Sequence, residues 1–248
     1  MNLIKILSVL LPALFATFSC NGFMDGIYDE PPVDNSYDEG FHTGTKPNRF
    51  KLQINATSYT EWIYVNLKTR ELERKPIPSA LTGEWDGQSG WTYNLVEGTK
   101  YTALAHVKTD AQPEPSEWDF AIHHFDARTH GGQVYETPYT SLNALPPSSK
   151  VLASASFTAD AWSTTQVITD LKDMMSFKVG FQNLKVNEVL SRWVRMDFST
   201  PPPVYTASGR VYILRLADGT HAAMQMLNYM SPSGTKGYLS IDVTRWRN

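Results

Sequence analysis

Arg210-Val-Tyr-Ile-Leu-Arg-Leu216, followed by Asp218-Gly219 and then His221 to Tyr229, is the stretch that decides the fold. An Asp-Gly pair between two apolar runs signals a tight hairpin, because both residues tolerate the backbone conformation such a turn needs. On the return strand Ala223, Gln225, Leu227 and Tyr229 fall on one face. Ser231 to Gly237 reads as a longer loop, and Tyr238 to Trp246 as a final strand. The C-terminal third is therefore a meander of antiparallel strands.

The same alternation extends towards the N-terminus. Phe50-Lys-Leu-Gln-Ile54 alternates apolar and polar residues, and Glu61 to Leu67 forms a second strand. Tyr101 to Val107 and Trp118 to Phe125 continue the pattern, with turn signals at Gly83, Asp86-Gly87, Ser89-Gly90 and Gln112-Pro-Glu-Pro115 between the strands. The middle differs. Val186, Val189, Leu190 and Trp193 have helical spacing, so a short helix is expected near 186–193. Pro201-Pro-Pro203 stops any regular element. The expected fold is all-β and mainly antiparallel, one domain over 48–248, with a less regular insert near 160–205.

Residues 1–19 carry Lys5 and then an apolar run from Ile6 to Phe18, too short to span a bilayer. They read as a signal peptide, with the small residues Thr17 and Ser19 leading to Cys20. Cys20 is the single cysteine of the chain. A thiol at that cut site can carry a diacylglyceryl group, so Cys20 is the candidate lipidation site. Residues 20–47, rich in Gly, Asp, Glu, Pro and Ser, are expected to form a tether between lipid and domain.

Composition narrows the function. Lys plus Arg is 22 against 25 for Asp plus Glu, which gives no basic stripe for nucleic acid. One cysteine excludes an internal disulfide, so the seven Trp among the aromatics must carry much of the core or line a flat ligand site. No nucleophile elbow, phosphate-cradling loop or H-E-x-x-H motif is present, and Gly87-Gln-Ser-Gly90 has the wrong spacing for the first. Glu84 and Asp86 share a strand face, but they precede Gly87 and read as a solvated turn. His123 and His124 point to opposite sides of a strand, so structural roles are expected for both. No enzyme activity is expected. Met174-Met175, beside Asp173, lies outside any core stripe, whereas Met224, Met226 and Met230 belong to the C-terminal hairpin. A thioether is a candidate haem ligand.

Trp118-Asp-Phe-Ala-Ile-His-His-Phe-Asp-Ala-Arg-Thr-His-Gly-Gly132 resembles the W-D-x-A-x-H-x-x-D-x-R-x-N-G-G segment of HmuY-like haem-binding lipoproteins of Bacteroidetes. Glu61 to Tyr64, Asn187 to Trp193, Pro203 to Tyr205 and Arg210 to Gly219 follow in the family's order. The resemblance runs from about Phe50 to the C-terminus, and the loose signal at Cys20 resembles lipoprotein starts in the same phylum. It implies a hand-shaped β fold that grips haem between two finger-like hairpins, with two His or two Met as axial ligands. Asp170 to Met175 corresponds to the first ligand segment, which makes Met174 or Met175 the implied ligand. Arg195 to Pro203 corresponds to the second. Members with Met ligands carry a Met near the position of Pro201; proline has no donor atom, and Met196 is the nearest substitute.

The resemblance implies a lipid-anchored, surface-exposed outer-membrane protein. It would take haem, free or from host haemoproteins, and pass it to a TonB-dependent receptor. Two alternatives stand beside it. One is a module of the same fold that has lost haem and binds another ligand, which Pro201 favours. The other is a surface adhesion or scaffold lipoprotein, which the long tether favours.

Overall fold

The computed structural model describes residues 34–44, 46, 48–77, 90–94, 99–101, 113–153, 155–163, 167–171, 178–197, 199 and 204–246. Its largest element is a seven-stranded antiparallel sheet. In spatial order the strands are β1 (Gly40–Thr43), β2 (Arg49–Asn55), β19 (Lys236–Trp246), β18 (His221–Met230), β17 (Val211–Arg215), β9 (Gln133–Glu136) and β10 (Thr158–Ala159). The Asp218-Gly219 turn joins β17 to β18. Gly219 has φ +80°, its N–H donates to the Leu216 carbonyl at 2.9 Å, and the Leu216 N–H donates to the Thr220 carbonyl at 2.9 Å. The Asp218 carboxylate accepts from the Thr220 N–H at 2.9 Å and hydroxyl at 2.6 Å, which locks the corner.

The centre of this sheet is covered on both faces. Tyr212 and Leu214 of β17 pack into the main core with Leu52, Ile54, Met224 and Ile241. Val211 and Ile213 point the other way and pack with Ala223, Leu142 and Val151. That is why β17 reads as a continuous apolar run rather than an alternating one. Val151 comes from the short helix α1 (Ser148–Leu152).

A second antiparallel sheet runs β4 (Glu71–Pro76), β3 (Glu61–Asn66), β7 (Phe120–His123) and β8 (Asp126–Thr129). It too is apolar on both faces. Ile63, Val65, Phe120 and Ile122 join the main core against the first sheet. Trp62, Tyr64 and Ala121 build a separate cluster on the opposite face with Trp118, Val167, Leu184 and Val186. Each large side chain buried in this way contributes about 1.5–3 kcal/mol.

Three smaller pieces extend from these layers. β12 (Val167–Asp170), β13 (Lys178–Gln182), β5 (Gly90–Asn94) and β6 (Thr99–Tyr101) form a four-stranded sheet. β11 (Ala161–Trp162) pairs with β14 (Lys185–Val186), and β15 (Val194–Asp197) with β16 (Val204–Ala207). The expected insert near 160–205 therefore consists of short antiparallel ribbons and one turn of helix, α2 (Glu188–Ser191). The Asn187 side-chain oxygen caps α2, accepting from the Leu190 N–H at 3.0 Å.

Three sequence expectations change in detail. The chain joins the sheet at Gly40, inside the segment expected as tether, because Phe41 tilts onto Phe50 at 5.2 Å and packs on the core. Neither Leu227 nor Tyr229 shares the face of Ala223: Ala223 packs with Val211 and Ile213, whereas Tyr229 packs into the main core with Met224 and Met226. The β18–β19 register shifts between Met226 and Asn228, and Leu227 turns out to 44% exposure. Of the strand expected from Tyr101 to Val107, Tyr101 closes β6 and the rest lies outside the described residues. No helix among the described residues is long and apolar enough to cross a membrane.

Candidate functional site

The Trp118–Gly132 segment is built as a frame. The Asp119 carboxylate accepts from the Leu67 N–H at 2.6 Å and pins β7 to the end of β3. The Arg128 guanidinium lies 4.8 Å from the Trp118 ring centre and 5.4 Å from that of Trp62, and it is ion-paired with Glu114. His130 stacks on Trp118 at 4.8 Å and 11°. Gly132 allows close passage of the neighbouring strand, since a Cβ there would lie 2.6 Å from the Arg215 carbonyl oxygen. Gly132→Ala is expected to destabilise the domain by about 1–3 kcal/mol, measured by denaturant melts, because β17 would have to shift.

His123 and His124 of this segment are held in structural hydrogen bonds. The His123 ring Nε2 is 2.8 Å from the Tyr59 carbonyl, to which it donates. His124 sits in the turn after β7 with φ +55°. Its Nδ1 donates to the Ala56 carbonyl at 3.0 Å, and the single lone pair of its Nε2 is shared between the hydroxyls of Tyr59 at 2.8 Å and Tyr229 at 2.6 Å. Burial, helped by His123 nearby, lowers the His124 pKa to about 3, so the ring is neutral. Burial also raises the Tyr229 pKa well above the phenol range, so that hydroxyl keeps its proton.

Tyr229 links this network to the ribbon β15–β16. It stacks with Tyr205 of β16 at 5.2 Å and meets Trp193 edge-on at 5.7 Å. Tyr205 is the direct cross-strand partner of Met196 on β15. Val194, buried, and Met196, half-buried, lie on the same face of β15. A cavity of about 540 Å³ opens at the foot of the ribbon, lined by the apolar Phe125, Val186, Val194 and Met196 and by charged groups of both signs, Arg192 and Arg195 beside Asp126 and Glu188.

A second clasp holds the elements around it. Asn187, fully buried, donates from its side-chain nitrogen to the Thr158 carbonyl at 2.9 Å and the Asp160 carboxylate at 3.0 Å. Asp160 also accepts from the Thr129 N–H at 2.6 Å and hydroxyl at 2.9 Å. Burial raises the Asp160 pKa against these hydrogen bonds. Asp160 carries no signal in the sequence, and Asn187 is marked there only as a polar residue just before a helical run, at the start of the segment Asn187 to Trp193.

Of the proposed iron ligands, Met196 is placed on the cavity wall. Met174 and Met175 belong to the connection between β12 and β13, and Pro201 to that between β15 and β16; all three lie outside the described residues, as does Cys20. In chain order the two segments expected to carry ligands fall between paired antiparallel strands, β12 and β13 in one case and β15 and β16 in the other. The residues present fit haem. The apolar side chains and the thioether suit a porphyrin and its iron, and the guanidinium groups of Arg192 and Arg195 suit its carboxylates, beside the Asp126 and Glu188 carboxylates on the same wall. No group of three or more His, Cys, Asp or Glu among the described residues is placed to hold a metal ion.

The sequence profile of the family described as HmuY protein matches residues 58–243. A Bacteroides fragilis protein provisionally assigned as a lipoprotein is 31% identical, with a TM-score of 0.63 over 88% of this chain and 100% of its own. A Bacteroides vulgatus protein provisionally assigned as HmuY-like and haem-binding is 29% identical, with a TM-score of 0.61 over 84% of this chain and 97% of its own. The apo HmuY analog of Tannerella forsythia, 22% identical with a TM-score of 0.59 over 87% of this chain and 100% of its own, shares the fold. No curated protein matches the chain.

Proposed function

Since this chain belongs to the HmuY family, we propose that it is a haem-binding surface lipoprotein without catalytic activity. It captures haem, free or from host haemoproteins, and hands it to a TonB-dependent outer-membrane receptor. The observation that carries this reading is half-buried Met196 beside Phe125, Val186 and Val194 on the wall of a cavity at the base of a two-stranded ribbon. Met174 or Met175, which fall between β12 and β13 in sequence, would supply the other sulfur donor. The protein's part is to exclude water from the porphyrin and hold soft sulfur donors towards its iron. The likeness to a protein assigned as HmuY-like and haem-binding supports it. Titration with haem tests the reading: one equivalent per chain should give a saturating shift of the Soret band, and Met196→Ala should weaken it without abolishing it.

The anchoring half of the proposal rests on Cys20. Cys20→Ser is expected to leave the chain unlipidated and to move it from the membrane fraction to the soluble fraction on cell fractionation. Retention in the membrane fraction at the wild-type level would contradict it. A second reading, a module of this fold that takes a ligand other than haem, is favoured by Pro201, where a Met donor is absent. No Soret shift in either redox state of iron would select that reading.

A further inference from the structure

A second groove, of about 430 Å³, lies on the other side of the Arg128 frame and is lined by Trp118, Arg128, His130, Asp160, Trp162 and Lys185 among others. We propose that this groove is a saccharide-binding site, independent of haem, which takes a neutral sugar ring against the exposed face of Trp162.

Trp162 is the reason to look here. It is 49% exposed, whereas Trp62, Trp118 and Trp193 are buried. Exposing an indole costs the transfer free energy that the other three gain. The two-residue strand β11 holds it in place, directly opposite Lys185 on β14. A flat apolar ring, fixed by backbone pairing at the lip of a groove, suits the C–H face of a pyranose.

The charges select against an ionic ligand. Arg128 is already paired with Glu114, and Asp160 is already hydrogen-bonded to Thr129 and Asn187. Arg128 and Lys185 balance Glu114 and Asp160, so the groove has no net charge to offer. The remaining polar groups suit hydroxyls. Lys185 is an exposed donor, and the Glu114 carboxylate is 41% exposed. The His130 Nδ1 donates to the Trp118 carbonyl at 3.1 Å, which leaves Nε2 as an acceptor. A hydroxyl-rich, uncharged ring with one apolar face uses all of these at once. The volume falls in the range of small-ligand sites.

The test is a glycan array carrying neutral hexose, 6-deoxyhexose and N-acetylhexosamine oligosaccharides beside acidic ones, probed with the mature chain. Binding of at least one neutral oligosaccharide is expected. In solution titration Trp162→Ala should lower its affinity at least about tenfold and Lys185→Ala a few-fold. Trp162 is exposed, so Trp162→Ala should keep the wild-type melting temperature and haem spectrum, which separates loss of this site from loss of fold or of haem binding. No neutral saccharide bound, binding restricted to acidic ones such as heparin, or wild-type affinity in Trp162→Ala would each overturn the proposal.

Discussion

Lowering the pH from 6.5 towards 3 should remove roughly 4–5 kcal/mol of stability through His124 alone, a large share of what a domain of this size has in total. The folded pKa of His124 is depressed to about 3 from 6.5. Its contribution is therefore fully present above the unfolded value and is lost as the pH falls towards the folded one. Near pH 5 the loss is only about 2 kcal/mol, so the domain stays folded in mild acid. Asp119 and Asp160 act in the opposite sense. Burial raises their folded pKa values, so their protonation in acid relieves a penalty and reduces the net slope. His124→Asn separates these contributions. Asn tolerates the φ of +55° at this turn, but it leaves the Tyr59 and Tyr229 hydroxyls without their acceptor. The variant should lose about 2–4 kcal/mol at pH 7.5 and show a flatter stability profile between pH 6.5 and 4. Urea melts across that range measure both. A variant as pH-sensitive as the wild type would show that His124 does not carry the effect.

Replacing Met174 and Met175 together with Ala should abolish the low-spin ferrous Soret and Q bands. The motive is the ligand segment from Asp170 to Met175, which contains no His. In sequence it follows β12, which ends on the buried Asp170. Removing both sulfurs leaves at most the Met196 side of the iron, and a five-coordinate ferrous haem is high-spin. Absorption spectra of the dithionite-reduced complex measure this. If the double variant keeps the wild-type spectrum, these methionines do not hold the iron. The thioethers do not titrate, so haem binding should hold its strength from pH 7.5 to 5, over which His ligands would protonate.

The meander was legible because its signals are local. Asp218-Gly219 sets the turn and the alternation on either side sets the strands, so nothing distant was needed. The helix near 186–193 was legible from its spacing, although the structure keeps only Glu188 to Ser191 as helix. The exposure of Leu227 was not legible, because a bulge shifts the register without marking the residue types. The role of His124 was equally hidden: its partners Tyr59, Ala56 and Tyr229 lie 65, 68 and 105 residues away in sequence. β1 was missed because Gly40 to Thr43 carries a single large apolar side chain, and its pairing depends on contact with Phe50. At the site, Met196 was reached through the resemblance alone, as the nearest sulfur to Pro201, and the cavity beside it is assembled from β7–β8, β14, α2 and β15 and has no sequence signature.

The central claim is that this chain binds haem through sulfur. Its most direct test is a paired titration of the purified protein with ferric haem and with dithionite-reduced haem. Thioether ligands favour ferrous iron. The expected result is tighter binding of reduced haem, with a sharp low-spin Soret band and resolved Q bands at one equivalent. Equal or stronger binding of ferric haem, with a spectrum typical of nitrogen ligation, would contradict the claim.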